Sequence, residues 1–206
     1  MAGITSMIVQ GRPEWINPHT VKSERFTCGY CGVFVGSHFG FITTGVAGIH
    51  ICPSCSLPSY FSEVREQVPA PPFGNDVQHL PADVDRLYSE ARDCISAGAC
   101  TATALLCRKL LMNVAVAKGA APGEQFVGYV NFIEAQHLVP PGSKLWLDHI
   151  RAKGNDATHE IPSVTRPEVE ELLAFVEMLL KFVFEMPAQM TAKAAASPQS
   201  ADHRRR

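Results

Sequence analysis

Two cysteine pairs, Cys28-Gly-Tyr-Cys31 and Cys52-Pro-Ser-Cys55, lie twenty residues apart and constrain this chain more than any other feature. Each C-x-x-C sets two sulfurs on one tight turn, and two such turns close a tetrahedron around Zn²⁺. The residues between them suit a zinc ribbon. Val33-Phe34-Val35 and Ile49-His50-Ile51 predict short strands, and Gly32, Gly36, Gly40, Gly45 and Gly48 punctuate the loop. Four protein thiolates leave no open coordination position, so one Zn²⁺ per chain would brace the fold and perform no chemistry. The same cysteines admit two disulfides or a redox C-x-x-C. The first needs an oxidising compartment, and the second needs neither a partner pair nor this spacing. His38 and His50 are further ligand types in the segment, although four thiolates suffice.

A ribbon of this size buries too little to fold without its metal. The rest of the 206-residue chain is long enough for a packed bundle, and 46% hydrophobic against 18% charged residues marks it as globular. The formal charge of −2 argues against a bulk electrostatic grip on nucleic acid, though not against a local basic patch. Cys94, Cys100 and Cys107 fall in apolar, helix-like sequence and read as buried free thiols. An odd total of seven cysteines, an N-terminus without signal-peptide character and no long uninterrupted apolar run predict a cytoplasmic protein that does not engage a membrane.

The expected organisation is a mainly α chain preceded by a small β module. Residues 1–25 form a lead-in, 26–60 the ribbon, 61–79 a Pro-rich linker, 80–186 a bundle of about five helices, and 187–206 a disordered tail. In the first helix Val84, Leu87, Tyr88, Ala91 and Ile95 keep helical period after Pro81, and Gly98 ends it. A second, roughly 99–118, is apolar nearly all round and stops at Lys118-Gly119, which predicts a central position. A third begins near Glu124 and uses Phe126, Val130 and Ile133. A fourth follows Ser143 with Leu145, Trp146 and Ile150. The last opens on a capping box, Thr165-Arg-Pro-Glu168, with a core stripe of Val169, Leu172, Leu173, Val176, Leu180 and Val183. A second stripe (Phe175, Leu179, Phe182, Met186) widens the apolar surface towards either a subunit interface or further burial within the chain.

One stretch concentrates polar chemistry. In Arg151-Ala-Lys-Gly154-Asn155-Asp-Ala-Thr-His159, an arginine suited to phosphate and a histidine suited to proton transfer flank a predicted helix end. Arg151 and His159 would support RNA cleavage, with one group moving a proton and the other stabilising charge on phosphorus. The structural alternative is an ordinary Gly154 C-cap, with Asn155 or Asp156 capping the next turn and His159 packed on a carbonyl. Arg108 on the apolar second helix and Glu90 on the first form a potential supporting pair.

Leu80-Pro-x-Asp-Val, Tyr88-Ser-Glu90-Ala91, Leu106-Cys-Arg108-Lys and above all the Gly154-Asn155-x-x-x-His159 element resemble the domain of unknown function 4145, a family of the HEPN clan, over about 80–186. The resemblance implies a HEPN-like helical bundle, frequently a homodimer, in a prokaryotic defence or toxin setting. It also implies a metal-independent ribonuclease in which Arg151 binds phosphate, Asn155 orients and His159 acts as general acid/base. The active HEPN pattern is Arg, then four to six intervening residues, then His. Here Gly154 stands at that place, and Arg151 is displaced by about one helical turn. Two function classes follow: this ribonuclease acting on RNA, or a non-catalytic adaptor that binds nucleic acid or a protein partner, the latter through the ribbon.

Overall fold

The computed structural model describes residues 12–139, 142–143, 145–148, 150 and 164–196. A five-stranded antiparallel meander comes first: β1 His19–Thr27, β2 Phe34–Ile42, β3 Gly48–Ile51, β4 Pro58–Phe61 and β5 Gln67–Val68, paired in chain order. The two strands expected from the sequence are β2 and β3. The sheet is nonetheless wider than 26–60. Nine-residue β1 is largely polar and its alternation is broken by an irregularity between Thr20 and Glu24, so only Val21 and Phe26 signal a buried face. Phe26, Val35 and Phe61 pack with Cys28 and Cys52 into a small core on that face.

Among the described residues five helices follow: α1 Ala82–Ser96, α2 Cys100–Ala117, α3 Phe126–Ala135, α4 Arg166–Leu180 and α5 Met186–Ala196; residues 145–148 add a short helical segment. α1 buries Val84, Tyr88, Ala91 and Ile95, with Leu87 at the margin, and Gly98 at φ 76° turns the chain into α2. α2 is long and apolar enough by length and composition to cross a membrane. Its apolar side chains serve the bundle, with Cys107, Leu110, Leu111 and Val114 buried in the core shared with α1, α3 and α4. The capping box at Thr165 is formed, its backbone N–H donating to the Glu168 carboxylate at 2.9 Å. All six residues of the expected core stripe on this helix are buried.

The second stripe divides. Phe175 and Leu179 are buried, Phe175 under a stacked Trp146 (5.8 Å between centroids), whereas Phe182 and Met186 face solvent. The chain also stays helical where a tail from residue 187 was expected. Lys181–Glu185 forms a π turn, the Met186 N–H reaching back five residues to the Lys181 carbonyl, and α5 continues to Ala196. Pro187 lacks an N–H, and its ring crowds the carbonyl four residues earlier. The wide turn breaks the regular ladder there, and the following Ala-rich run has high helix propensity.

Between sheet and bundle, residues 69–80 adopt neither helix nor strand, as their prolines predict, yet they are held fast. Ala70 N–H donates to the Ser96 carbonyl at 3.1 Å. Arg92 donates to the carbonyls of Phe73 (2.9 Å) and Gly74 (3.1 Å) and pairs with Asp76. Asn75 donates through its backbone N–H and its Nδ2 to the two Glu177 oxygens, both at 2.9 Å. The Tyr88 hydroxyl donates to the Asn75 carbonyl at 2.9 Å.

Candidate metal centre

The four cysteines of the two pairs converge. Their sulfurs lie within 4.8 Å of one another, with Cys28–Cys55 at 3.7 Å and Cys31–Cys52 at 3.9 Å. A tetrahedron with metal–sulfur bonds of about 2.3 Å has edges of about 3.8 Å. The sulfurs are unbridged, and the arrangement is consistent with a metal site such as zinc.

The backbone builds this geometry twice by the same device. Cys28 N–H donates to Val33 O (3.0 Å) and Gly32 N–H to Cys28 O (2.9 Å). Cys52 N–H donates to Leu57 O (3.0 Å) and Ser56 N–H to Cys52 O (2.8 Å). The residue after each second cysteine is left-handed, Gly32 at φ 69° and Ser56 at φ 63°. Glycine suits that position; serine was not a turn signal on sequence alone, so the equivalence of the two knuckles emerges only in three dimensions. The Tyr30 N–H points at the Cys28 sulfur (3.4 Å), and Trp15 Nε1 donates to Ser56 O (2.7 Å), which ties the lead-in to the second knuckle.

Burial in this cluster pushes the Cys28 thiol up to about 11 and raises Cys55 further. At Cys31 burial also acts upward, but hydrogen bonds from the Val33 backbone and the neighbouring thiols outweigh it, and the thiol falls below its ordinary value. A cation at the centre reverses the logic of the raised pair, because it stabilises all four thiolates directly. The two histidines stand apart from the cluster. His38 is exposed beside Phe39, and His50 is buried between Phe26 and Phe61. Burial also holds the His50 imidazole below its ordinary value.

Of the residues singled out for catalysis, Arg151, Asn155 and His159 lie outside the described residues. Glu90 is exposed on α1. Arg108 is half-buried on α2 with its guanidinium 4.3 Å from the Phe126 ring centroid, and desolvation lowers its pKa. Sequence reading missed the carboxylate of Glu177. It is buried at the head of the clasp and accepts from Asn75, with Lys181 paired to it and the Tyr88 hydroxyl 3.3 Å away. Burial raises the Glu177 carboxyl, but Lys181 and the Asn75 donors prevail and hold it below the ordinary carboxylate value. Burial, with the same carboxylate beside it, pushes the Tyr88 phenol up.

These features define a class of protein: a four-cysteine β module clasped to a helical domain. The family model of the domain of unknown function DUF4145 matches residues 89–197, just over half of the 206 residues, and the chain belongs to that family. No curated protein and no solved structure matches it.

Proposed function

We propose that this protein is a non-catalytic adaptor. One Zn²⁺ held by Cys28, Cys31, Cys52 and Cys55 builds its ribbon, and the outer face of that ribbon binds a protein partner. The observation that carries this reading is a cross-strand row. Phe41 faces Ile49, Ile49 faces Tyr60 and Tyr60 faces Val68, so four apolar or aromatic residues cross β2 to β5 on the face opposite His50 and Ser59. Tyr60 and Val68 are exposed, and Phe39, also exposed, lies nearby on β2. A closed four-thiolate ion supplies no open position for chemistry, and the near-neutral chain favours a protein surface over a polyanion.

A second reading is favoured by the Gly154-Asn155-x-x-x-His159 element, which falls inside the matched family span. Here the protein is a HEPN-type, metal-independent endoribonuclease. Arg151 binds phosphate, His159 transfers the proton and Asn155 orients, with Glu90 and Arg108 in support. One experiment separates the two. Purified full chain is incubated with RNA without added divalent metal, with and without chelator, beside His159→Ala. The adaptor reading expects no cleavage above the buffer control in any lane. Cleavage that His159→Ala abolishes would overturn it and establish the second reading.

A further inference from the structure

The clasp between the linker and α4 leaves an open cavity of about 550 Å³, within the range of small-molecule pockets. Phe73 of the linker and Met178, Phe182 and Met186 of the helices form its apolar walls. Asn75, Glu177 and Lys181 form its polar side. The π turn at Lys181–Glu185 sets the helical wall. In an unbroken α-helix Met186 would lie about 80° round from Met178, because each step of four residues overshoots a full turn by about 40°. The wide turn absorbs about one extra residue and rotates Met186 back by about 100°, into line with Met178.

The polar side is selective because most of it is already spent. One Glu177 oxygen accepts from Asn75 Nδ2 and Lys181, and the other accepts from the Asn75 N–H with the Tyr88 hydroxyl at 3.3 Å. The carboxylate has little capacity left for a ligand. Lys181 is different: it is half-buried, and an ammonium has two N–H donors beyond the one given to Glu177. Among the described residues the Asn75 side-chain oxygen also has no donor, so the cavity offers one strong donor group and one neutral acceptor. Charge then decides which head group fits. Glu177 and Lys181 together are neutral. A carboxylate on Lys181 would sit beside the Glu177 carboxylate, and an ammonium would meet Lys181 itself. A neutral amide suffers neither repulsion, since its carbonyl accepts from Lys181 while its N–H donates to Asn75 Oδ1.

We propose that this cavity binds a neutral, mainly apolar small molecule with an amide head, held by Lys181 and Asn75, its hydrocarbon part lying against Met178, Phe182 and Met186. The unbranched, polarisable methionines adapt to a flexible chain, and the Phe73 and Phe182 rings add apolar area. The inference rests on neither the adaptor nor the ribonuclease reading.

Titration of the zinc-loaded full chain, labelled with carbon-13 at its methionine methyls, tests it by nuclear magnetic resonance. The probes are octanamide, octanoate and octylamine, which share a chain length and differ in head-group charge. Octanamide should shift the Met178 and Met186 methyls saturably, and the other two should bind at least about tenfold more weakly. Lengthening the amide from hexanamide to octanamide should tighten binding about three- to fourfold per CH₂. Ala174 lines the cavity and is exposed, so Ala174→Phe fills it without disturbing the core and should abolish the shifts. Lys181→Met removes the donor and should weaken octanamide about tenfold; circular dichroism checks both folds. No saturable shift with octanamide, equal binding of octanoate or octylamine, or wild-type binding in either folded variant overturns the proposal.

Discussion

The Glu177 clasp makes a prediction whose size and pH dependence both follow from its contacts. Glu177→Gln keeps the shape but replaces an acceptor-only carboxylate by an amide with one acceptor oxygen and one donor nitrogen. Its two present partners from Asn75 are both donors, on different oxygens, so one of them must now face an N–H₂. A lost charge-assisted bond with a buried donor left over costs about 2–3 kcal/mol. Lys181 is a third exposed and recovers water, so its pairing adds little. At about 2–4 °C per kcal/mol for a chain of this length, the melting midpoint should fall by roughly 5–10 °C at pH 7. The sign with pH follows from the lowered carboxyl. A depressed carboxylate contributes stability above its unfolded value, here 4.5, and loses it as pH falls through the folded value. The gap between wild type and Glu177→Gln should therefore be full at pH 6–7 and shrink below pH 4.5. Thermal melts followed at 222 nm across that range read it directly, with Glu171→Gln, exposed on the same helix, as the control. Equal midpoints at pH 7, or a gap that is unchanged in acid, would refute the account of Glu177 as the charged head of the clasp.

Two further outcomes concern the metal centre. Cys28→Ser and Cys55→Ser should each lower bound zinc from about one per chain to none by elemental analysis, with loss of the ribbon fold; retained zinc in both would sink the four-thiolate assignment. Ser56→Gly should stabilise the second knuckle by about 0.5–1 kcal/mol, since relief of a left-handed residue (about 1–2 kcal/mol) exceeds the extra freedom of unfolded glycine (about 0.5–1 kcal/mol). Gly32→Ala should act in the opposite sense, and slower zinc release to a competing chelator in Ser56→Gly than in wild type is the readout.

What could be read from residues alone was whatever local pattern encodes. Helical period placed α1 to α4, glycines at 98 and 119 marked where two of them end, and Thr165 with Glu168 marked where α4 begins. The cysteine spacing brought four sulfurs together from two turns. The clasp was illegible because Asn75 and Glu177 are 102 residues apart, and Glu177 sits on a helix whose carboxylates otherwise read as a solvated face. β1 was obscured by its polar residues, and β5 by its length of two. Pro187 reads as a stop in any propensity argument. The π turn before it lets the helix proceed, and that adjustment is visible only in the hydrogen-bond ladder.

The linker changes what a ribbon means in this chain. A β-carbon added to Gly29 would lie 2.4 Å from the Pro69 carbonyl oxygen and 2.7 Å from that of Ala70, so the first knuckle rests directly on linker backbone and only glycine permits the approach. Gln67 Nε2 closes the same corner by donating to Thr27 O at 2.8 Å and Pro69 O at 3.0 Å. From Ala70 the backbone is bonded to α1, and by Asn75 it is bonded to α4. Cysteine turn, linker and bundle thus form one chain of contacts with no free tether between them. A module joined by a flexible Pro/Gly tether searches for partners independently of its neighbour. One seated in this way presents its apolar row in a set direction relative to the helices. Metal occupancy then bears on more than the ribbon, because an unfolded knuckle withdraws the surface against which Pro69 and Ala70 are packed, while the Glu177 clasp keeps the far end of the linker in place.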